Sequence, residues 1–216
     1  MNYSDFKTKY AISLDPQQEA AVQTVDGPIL LLAVPGSGKT TTLVTRLGYM
    51  VLCRDIPPEH ILTMTYTVAA TADMCSRFAA LFGQSLAQKL EFRTINGVSA
   101  RIIRHYERSM GRKAFELITD KRELTTLVGE LYRDITREFA TESTIKSIRT
   151  CLTYIKNMQL SDAEIEAFQA DDIKIGPIYR EYCRILRQRQ KMDYDDQMVY
   201  AFQILRQYPE ILKFFQ

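Results

Sequence analysis

Short apolar runs alternate with amphipathic stretches in the first half of the chain. The runs occupy residues 29–33, 61–65 and 92–94, and a segment with helical spacing of apolar residues follows each one. Strands that alternate with helices in this way are typical of βαβ units, whose parallel strands share one sheet. The pattern therefore predicts an α/β domain with a parallel sheet at the start of the chain.

The spacing of apolar residues changes to a purely helical period from about residue 115 to residue 190. One stripe repeats every three or four residues, at Leu124, Leu127, Val128 and Leu131. Helix starts are indicated where an N-cap residue precedes glutamate by three positions, as at Asp120 and Ser161. This part is predicted to be an inserted, all-helical subdomain.

Composition indicates a folded protein without a membrane segment. The chain has 216 residues, of which 46% are hydrophobic, and its longest apolar run, residues 29–34, is far shorter than the roughly 20 residues that cross a bilayer. The amino terminus has no apolar signal region. The four cysteines form no CxxC pair and the two histidines stand alone, which argues against a disulfide framework or a zinc site. A cytoplasmic protein with no membrane partner is expected.

Net charge is only +2, but basic residues cluster locally. Between Arg93 and Lys113 a single acidic residue, Glu107, accompanies six basic ones: Arg93, Arg101, Arg104, Arg108, Arg112 and Lys113. Such a cluster suits contact with nucleic-acid phosphates, and a solvated helix face is an equally good interpretation.

The sequence AVPGSGKT at residues 33–40 has the pattern of a phosphate-binding loop between a strand and a helix. Lys39 is expected to reach the β- and γ-phosphates and the Thr40 hydroxyl to ligate Mg²⁺, which makes these two the predicted catalytic residues. The other predicted nucleotide contacts in this loop are Pro35, Gly36, Ser37, Gly38 and Thr41. The loop alone does not distinguish a helicase from a small-molecule kinase, a GTPase or a transporter ATPase.

Four further segments resemble motifs of the superfamily 1 ATP-dependent DNA helicases of the UvrD/Rep (PcrA-like) type. These are LDPQQEAAV at residues 14–22, TYTVAATADM at 65–74, TING at 94–97 and DYDDQM at 193–198. The resemblance implies that Gln18 reads adenine and that two loops contact single-stranded DNA. The implied DNA contacts are Thr65, Tyr66, Thr67, Thr94, Asn96 and Gly97.

The chain departs from the family pattern at two of these places, and simpler interpretations stay open. Val68 and Ala69 replace the usual Asn-Lys, and Asn96 replaces a histidine. Asp15 and Gln18 have the spacing of a capping box, and Asn96-Gly97 is a preferred turn dipeptide.

The acidic segment around Asp193, Asp195 and Asp196 could bind a metal ion. A helix start is the favoured interpretation, because carboxylates cap N–H groups and offset the helix dipole there.

The resemblance also implies an architecture and ligands. Residues 1–112 would form the first part of a RecA-like P-loop NTPase domain, residues 113–190 a helical insertion, and residues 191–216 a return toward the first domain. ATP and Mg²⁺ would be the cofactors, and single-stranded or partially duplex DNA together with the remaining helicase domains the partners. The parent would be a 3′-to-5′ helicase in DNA repair or replication.

No hydrophobic run followed by Asp-Glu, the Walker B pattern, occurs in the chain, so these residues are expected to be inactive on their own. The incomplete sheet could pair with a second copy through its edge. The alternatives are the front of an AddA- or RecB-type helicase-nuclease subunit, a non-catalytic P-loop DNA-binding module, and a P-loop kinase of small molecules.

Overall fold

The computed structural model describes residues 1–170 and 172–216, which form two compact units, Met1–Val98 and Ser99–Gln216. The first unit contains α1 (Tyr3–Lys9), α2 (Pro16–Gln23), α3 (Lys39–Cys53), a 3₁₀ turn (Pro58–His60), β1 (Leu62–Thr65), α4 (Val68–Phe82), α5 (Gln84–Ala87) and β2 (Glu91–Thr94). Helix α6 (Ile95–Met110) begins in this unit and continues in the second.

Strands β1 and β2 pair in parallel, with Leu62 opposite Glu91 and Thr65 opposite Thr94. Parallel neighbours need a crossover connection, and α4 and α5 supply it. Both strands lie within one residue of the predicted apolar runs. The βαβ prediction is therefore confirmed for this pair.

The strand predicted at residues 29–33 is wrong. No described residue pairs with this segment in a ladder, and Leu30 and Leu32 are 81% and 82% exposed. Apolar, β-branched composition favours a strand only where a neighbouring strand accepts its backbone hydrogen bonds. Among the described residues, the parallel sheet of the first unit consequently has two strands, β1 and β2. Pairing between two copies gains no support.

The core of the first unit lies between α3, α4 and the aromatic side chains of the amino terminus. Val44 and Phe78 are fully buried where the two helices meet. The Phe82 ring packs against Phe6 at 5.7 Å and against Phe78 at 4.9 Å between ring centroids. These contacts hold α3, and with it the loop that precedes it, against the rest of the unit.

Replacement of Gly48 by alanine is expected to destabilise the first unit by about 1–3 kcal/mol, because it overfills a packed core. A Cβ at this position would lie 2.2 Å from Cζ of Phe82, whose ring cannot retreat easily from its aromatic neighbours. Urea unfolding measures the effect. The matched control is Gly129→Ala in a helix of the second unit, where the added Cβ meets only Ile145 Cδ1 at 3.4 Å. An equal loss in both variants would contradict the packing at Gly48.

The second unit is mostly helical. It contains β3 (Glu116–Leu117), α7 (Lys121–Thr136), α8 (Glu142–Met158), α9 (Asp162–Ala167), β4 (Gln169–Ala170), β5 (Ile173–Lys174), α10 (Ile175–Gln188), β6 (Lys191–Met192), α11 (Tyr194–Gln207) and α12 (Pro209–Phe215). The predicted helical period is confirmed. The second unit is not all-helical, however, because it contains two short strand pairs. Strand β3 pairs with β6 in parallel, and β4 pairs with β5 antiparallel.

The predicted helix starts in this unit are largely confirmed. Ser161 and Glu164 form a complete capping box at the start of α9, and Asp120 accepts a hydrogen bond from the Arg122 N–H at the start of α7. Asp193 and Asp196 form a capping box at α11, which confirms the helix-start interpretation of that acidic segment.

A buried lysine joins α8 to the start of α11. Lys156 is 4% exposed, and its Nζ lies 2.7 Å from Asp193 Oδ2 and 2.8 Å from Asp196 Oδ1. The Tyr182 hydroxyl donates a third hydrogen bond, at 2.7 Å, to the same oxygen of Asp193. Burial alone would lower the pKa of Lys156, but the two carboxylates raise it above its ordinary value. The ammonium is therefore charged. The carboxylates of Asp193 and Asp196 pair with it and cap α11.

Candidate nucleotide and DNA-contact sites

The glycine-rich loop makes a tight turn directly before α3. The Ser37 N–H and hydroxyl both donate to the Val34 carbonyl, at 3.2 and 2.8 Å. Gly36 and Gly38 have φ values of +82° and +74°, a region that glycine occupies without strain. The predicted loop therefore exists, although the segment before it is not a paired strand.

The amino terminus of α3 is left open. Its N-cap residue, Gly38, has no side chain and provides no capping hydrogen bond, whereas Thr67, Asp120, Thr141 and Asp193 cap their helices with side-chain oxygens. Uncapped N–H groups and the helix dipole together attract anions. The backbone N–H groups at the start of α3 are thus available to donate hydrogen bonds to a phosphate.

Lys39 is the first residue of α3 and is exposed to solvent. Its Nζ donates to the carbonyls of Ala33, at 3.3 Å, and Val34, at 2.9 Å. Thr40, half-buried, and Thr41, exposed, follow in the same helical turn. The ammonium lies over its own loop, and its acceptors among the described residues are neutral carbonyls that a phosphate would outcompete.

Gln18 joins the helix of the first motif to this loop. Its side-chain nitrogen donates to the Ser37 carbonyl at 3.0 Å, and its side-chain oxygen accepts from the Asp15 N–H at 3.1 Å. The capping box between Asp15 and Gln18 is confirmed. The same amide therefore lies beside the predicted phosphate loop, and its contact with adenine stays a prediction.

Arg46 is a positioning residue that the sequence analysis missed. Its guanidinium donates to the carbonyls of Ala21 and Thr24 at the end of α2. Burial lowers the pKa of Arg46. Arg46 is the only charged residue of α3 after Lys39, which marks it in the sequence but does not identify its partners. This contact fixes α2, which carries Gln18, against the helix that follows the loop.

The described residues fit a nucleoside triphosphate with its magnesium ion. Two positive-φ glycines, uncapped helix N–H groups and one exposed ammonium converge on one loop. No group of three or more His, Cys, Asp or Glu within residues 1–170 and 172–216 is arranged to hold a metal ion unaided. Mg²⁺ commonly binds through substrate phosphates plus one or two protein oxygens, for which the Thr40 hydroxyl is suited.

The two predicted DNA-contact loops lie side by side. One loop follows β1 and the other follows the parallel strand β2. Thr65 and Thr94, the last residues of these strands, are paired, so both loops begin at the same edge of the sheet. Tyr66 is 89% exposed at that edge. Thr65 and Thr67 are engaged locally: the Thr65 hydroxyl lies 2.5 Å from that of Thr71, and the Thr67 hydroxyl accepts from the Ala70 N–H at 3.1 Å. The tyrosine ring is therefore presented by a fixed backbone.

The turn interpretation of Asn96-Gly97 is wrong, because both residues lie in the first turn of α6, which begins at Ile95. The Thr94 hydroxyl accepts from the Gly97 N–H at 3.0 Å and so supplies a helix cap. Asn96 Oδ1 is a buried oxygen without a hydrogen-bond partner among the described residues. A buried acceptor of this kind needs an external donor to avoid a desolvation cost.

No helix within the described part of the chain combines the length and apolarity that a membrane crossing requires.

Comparison with known proteins identifies the chain as similar to bacterial helicases. It is 28% identical to the ATP-dependent DNA helicase PcrA of Bacillus subtilis (strain 168), over all of this chain and 29% of that relative. It is 30% identical to the ATP-dependent DNA helicase UvrD1 of Mycobacterium leprae, and 27% identical to PcrA of Staphylococcus epidermidis, each over 94% of this chain. The chain spans less than a third of the length of these relatives.

A family profile described as the UvrD/REP helicase N-terminal domain matches residues 14–216. This match includes the glycine-rich loop, Gln18 and both loops that are predicted to contact DNA. The chain therefore belongs to the UvrD/REP helicase N-terminal domain family.

Proposed function

We propose that this chain is the ATP-binding and single-stranded-DNA-contacting amino-terminal part of an ATP-dependent, 3′-to-5′ DNA helicase of the cytoplasm that serves DNA repair or replication. The observation that carries the proposal is the open amino terminus of α3, where Lys39 and the loop glycines converge beside Gln18. Relatives named as ATP-dependent DNA helicases support it.

In this proposal the first 112 residues belong to a RecA-like P-loop domain, residues 113–190 form its helical insertion, and residues 191–216 return toward it. The loop N–H groups and Lys39 bind the phosphates, Thr40 contributes its hydroxyl to Mg²⁺, and the Gln18 amide orients the adenine. Mg–ATP supplies the free energy that a helicase converts into movement between domains.

Hydrolysis needs carboxylates that hold Mg²⁺ and orient the attacking water, and these 216 residues contain no Asp-Glu pair after a hydrophobic run. We propose that they bind nucleotide without turning it over and that the other helicase domains of the parent complete the reaction. Phosphate release that depends on Lys39 in the 216-residue chain would overturn this part of the proposal.

Single-stranded DNA binding tests the role of the exposed tyrosine. Tyr66→Ala is expected to weaken binding of a labelled oligothymidylate by about 5- to 100-fold, because base stacking on an aromatic ring is typically worth about 1–3 kcal/mol. Tyr66→Phe keeps the stacking face and is expected to bind normally. Fluorescence anisotropy at two salt concentrations measures both.

The control for this experiment is Phe139→Ala, which removes an aromatic ring that is 85% exposed in the second unit and is expected to leave affinity unchanged. If Tyr66→Ala bound the oligothymidylate with the same affinity as the unaltered chain, Tyr66 would not be a DNA contact.

A further inference from the structure

An aromatic cavity lies between α6 and α11 in the second unit. Its volume is about 240 Å³. Ile103 and Ile204, both buried, line it together with four aromatic side chains: Tyr106, Phe115, Tyr200 and Tyr208. Pockets for drug-sized ligands usually measure about 300–1,000 Å³, so this α6–α11 cavity suits one ring system rather than a larger molecule.

The aromatic side chains are arranged as two packed pairs. The Tyr106 and Tyr208 rings lie 5.0 Å apart between centroids, and Phe115 meets Tyr200 edge-on at 6.2 Å. The hydroxyls of Tyr106 and Tyr208 lie 3.4 Å apart, within reach of a hydrogen bond. Aromatic rings at the wall of a cavity offer flat faces, and such faces favour stacking of a flat ligand.

Polar groups surround this apolar space. Gln203 and Gln207 also line the cavity and are exposed, so each offers amide donors and a carbonyl acceptor to the edge of a heterocycle. Lys113 lines the cavity as well. A ring with polar edges can exchange hydrogen bonds with these amides, whereas a purely hydrophobic occupant cannot.

Two exposed cations lie at and beside the cavity, Lys113 in its lining and Arg112 next to it in the chain. Arg112 and Lys113 are exposed and, within the described part of the chain, form no ion pair. Two carboxylates are also close by: Glu210 follows Tyr208 by two residues, and Glu107 accepts a hydrogen bond from the Ala114 N–H at 2.7 Å. A flat polar ring joined to a phosphate matches this combination of stacking faces, amides and adjacent cations.

We propose that the α6–α11 cavity binds one unpaired base of single-stranded DNA, with a flanking phosphate against Arg112 and Lys113. The inference rests on the proposed function for the identity of the polymer, and it adds a second contact to the one at Tyr66. This contact is base-dependent, because the cavity accepts the ring, and salt-dependent, because the cations neutralise phosphate.

The experiment compares an oligothymidylate with an abasic oligomer of equal length on the 216-residue chain. Tyr106→Ala is expected to lower affinity for the oligothymidylate about 5- to 50-fold and to leave the weaker binding of the abasic oligomer unchanged. Gln203→Trp, at an exposed position on the cavity, is expected to block entry of the base with the same result. Lys113→Gln is expected to reduce the salt dependence by about one phosphate contact.

Matched controls separate loss of the contact from loss of the fold. Tyr154→Ala removes a half-exposed tyrosine elsewhere in the second unit and is expected to bind normally. Tyr106→Phe keeps the stacking face and is expected to bind as the unaltered chain does. Thermal unfolding of each variant shows whether it is folded, and Gln203→Trp tests the cavity even if Tyr106→Ala does not fold.

Photo-crosslinking with oligonucleotides that contain 5-iodouracil gives the second readout. Crosslinks in peptides that carry Tyr106, Tyr200 or Tyr208 are expected. If Tyr66→Ala weakens binding while Tyr106→Ala and Gln203→Trp do not, and crosslinks occur only at Tyr66, the cavity inference is overturned and the proposed function stands. Absence of DNA binding by the unaltered chain would overturn both.

Discussion

Lys156→Ala is expected to lower the free energy of unfolding of the second unit by about 3–5 kcal/mol, the usual effect of removing one partner of a buried ion pair. The substitution leaves Asp193, which is 6% exposed, and Asp196 without their compensating charge. Tyr182 still donates to Asp193, but one neutral donor does not replace an ammonium between two carboxylates. Urea unfolding followed by circular dichroism measures the loss, provided that the denaturant dependence is unchanged.

Two controls separate the buried charge from other effects of the substitution. Lys146→Ala removes an exposed lysine from the same helix, α8, and is expected to change stability by less than about 0.5 kcal/mol. The triple variant Lys156→Met, Asp193→Asn, Asp196→Asn removes all three charges and is expected to regain part of the loss. If Lys156→Ala were as stable as Lys146→Ala, the buried network would not stabilise the start of α11.

Lys39→Ala is expected to weaken binding of a magnesium complex of a non-hydrolysable ATP analogue by about 10- to 100-fold, because a charge-assisted hydrogen bond to phosphate contributes about 1.5–3 kcal/mol. The fold should not change, since Lys39 is exposed and its hydrogen bonds in the structure go only to the Ala33 and Val34 carbonyls. Isothermal titration calorimetry measures the affinity.

The matched control for Lys39→Ala is Lys89→Ala, which removes an exposed lysine from the same unit and is expected to leave nucleotide affinity unchanged. Oligothymidylate binding by Lys39→Ala should equal that of the unaltered chain, because DNA contact is assigned to another loop. Unchanged nucleotide affinity in Lys39→Ala would place the nucleotide elsewhere or show that none binds.

Local features were the most predictable from sequence. The glycine-rich loop and the capping boxes at Asp15 and Ser161 each depend on residues close together in the chain. The start of α11 was predictable for the same reason, since Asp193 and Asp196 serve the N–H groups of their own helix. Short-range hydrogen bonding leaves a pattern that a sequence displays directly. Strands β1 and β2 were predictable from the apolar runs that form them, although they pair across the α4–α5 crossover.

Features that depend on distant partners were not predictable. Residues 29–33 have strand composition but no ladder partner among the described residues, and composition does not reveal whether a partner is present. A local signature also misled at Asn96-Gly97, a preferred turn dipeptide, because the nearby Thr94 hydroxyl caps a helix there. The contacts of Arg46 with α2 and of Lys156 with Asp193 join residues that are 22 to 37 positions apart. The spacing of apolar residues along the chain does not indicate which residues form such pairs.

Nuclear magnetic resonance of the 216-residue chain, titrated with the magnesium complex of a non-hydrolysable ATP analogue, observes the nucleotide site directly. We predict that the backbone amides of Gly36, Ser37, Gly38 and Lys39 shift selectively, together with the side-chain amide of Gln18, which now donates to the Ser37 carbonyl. Saturating nucleotide that leaves these five signals unmoved would contradict the assignment of the glycine-rich loop as the ATP site.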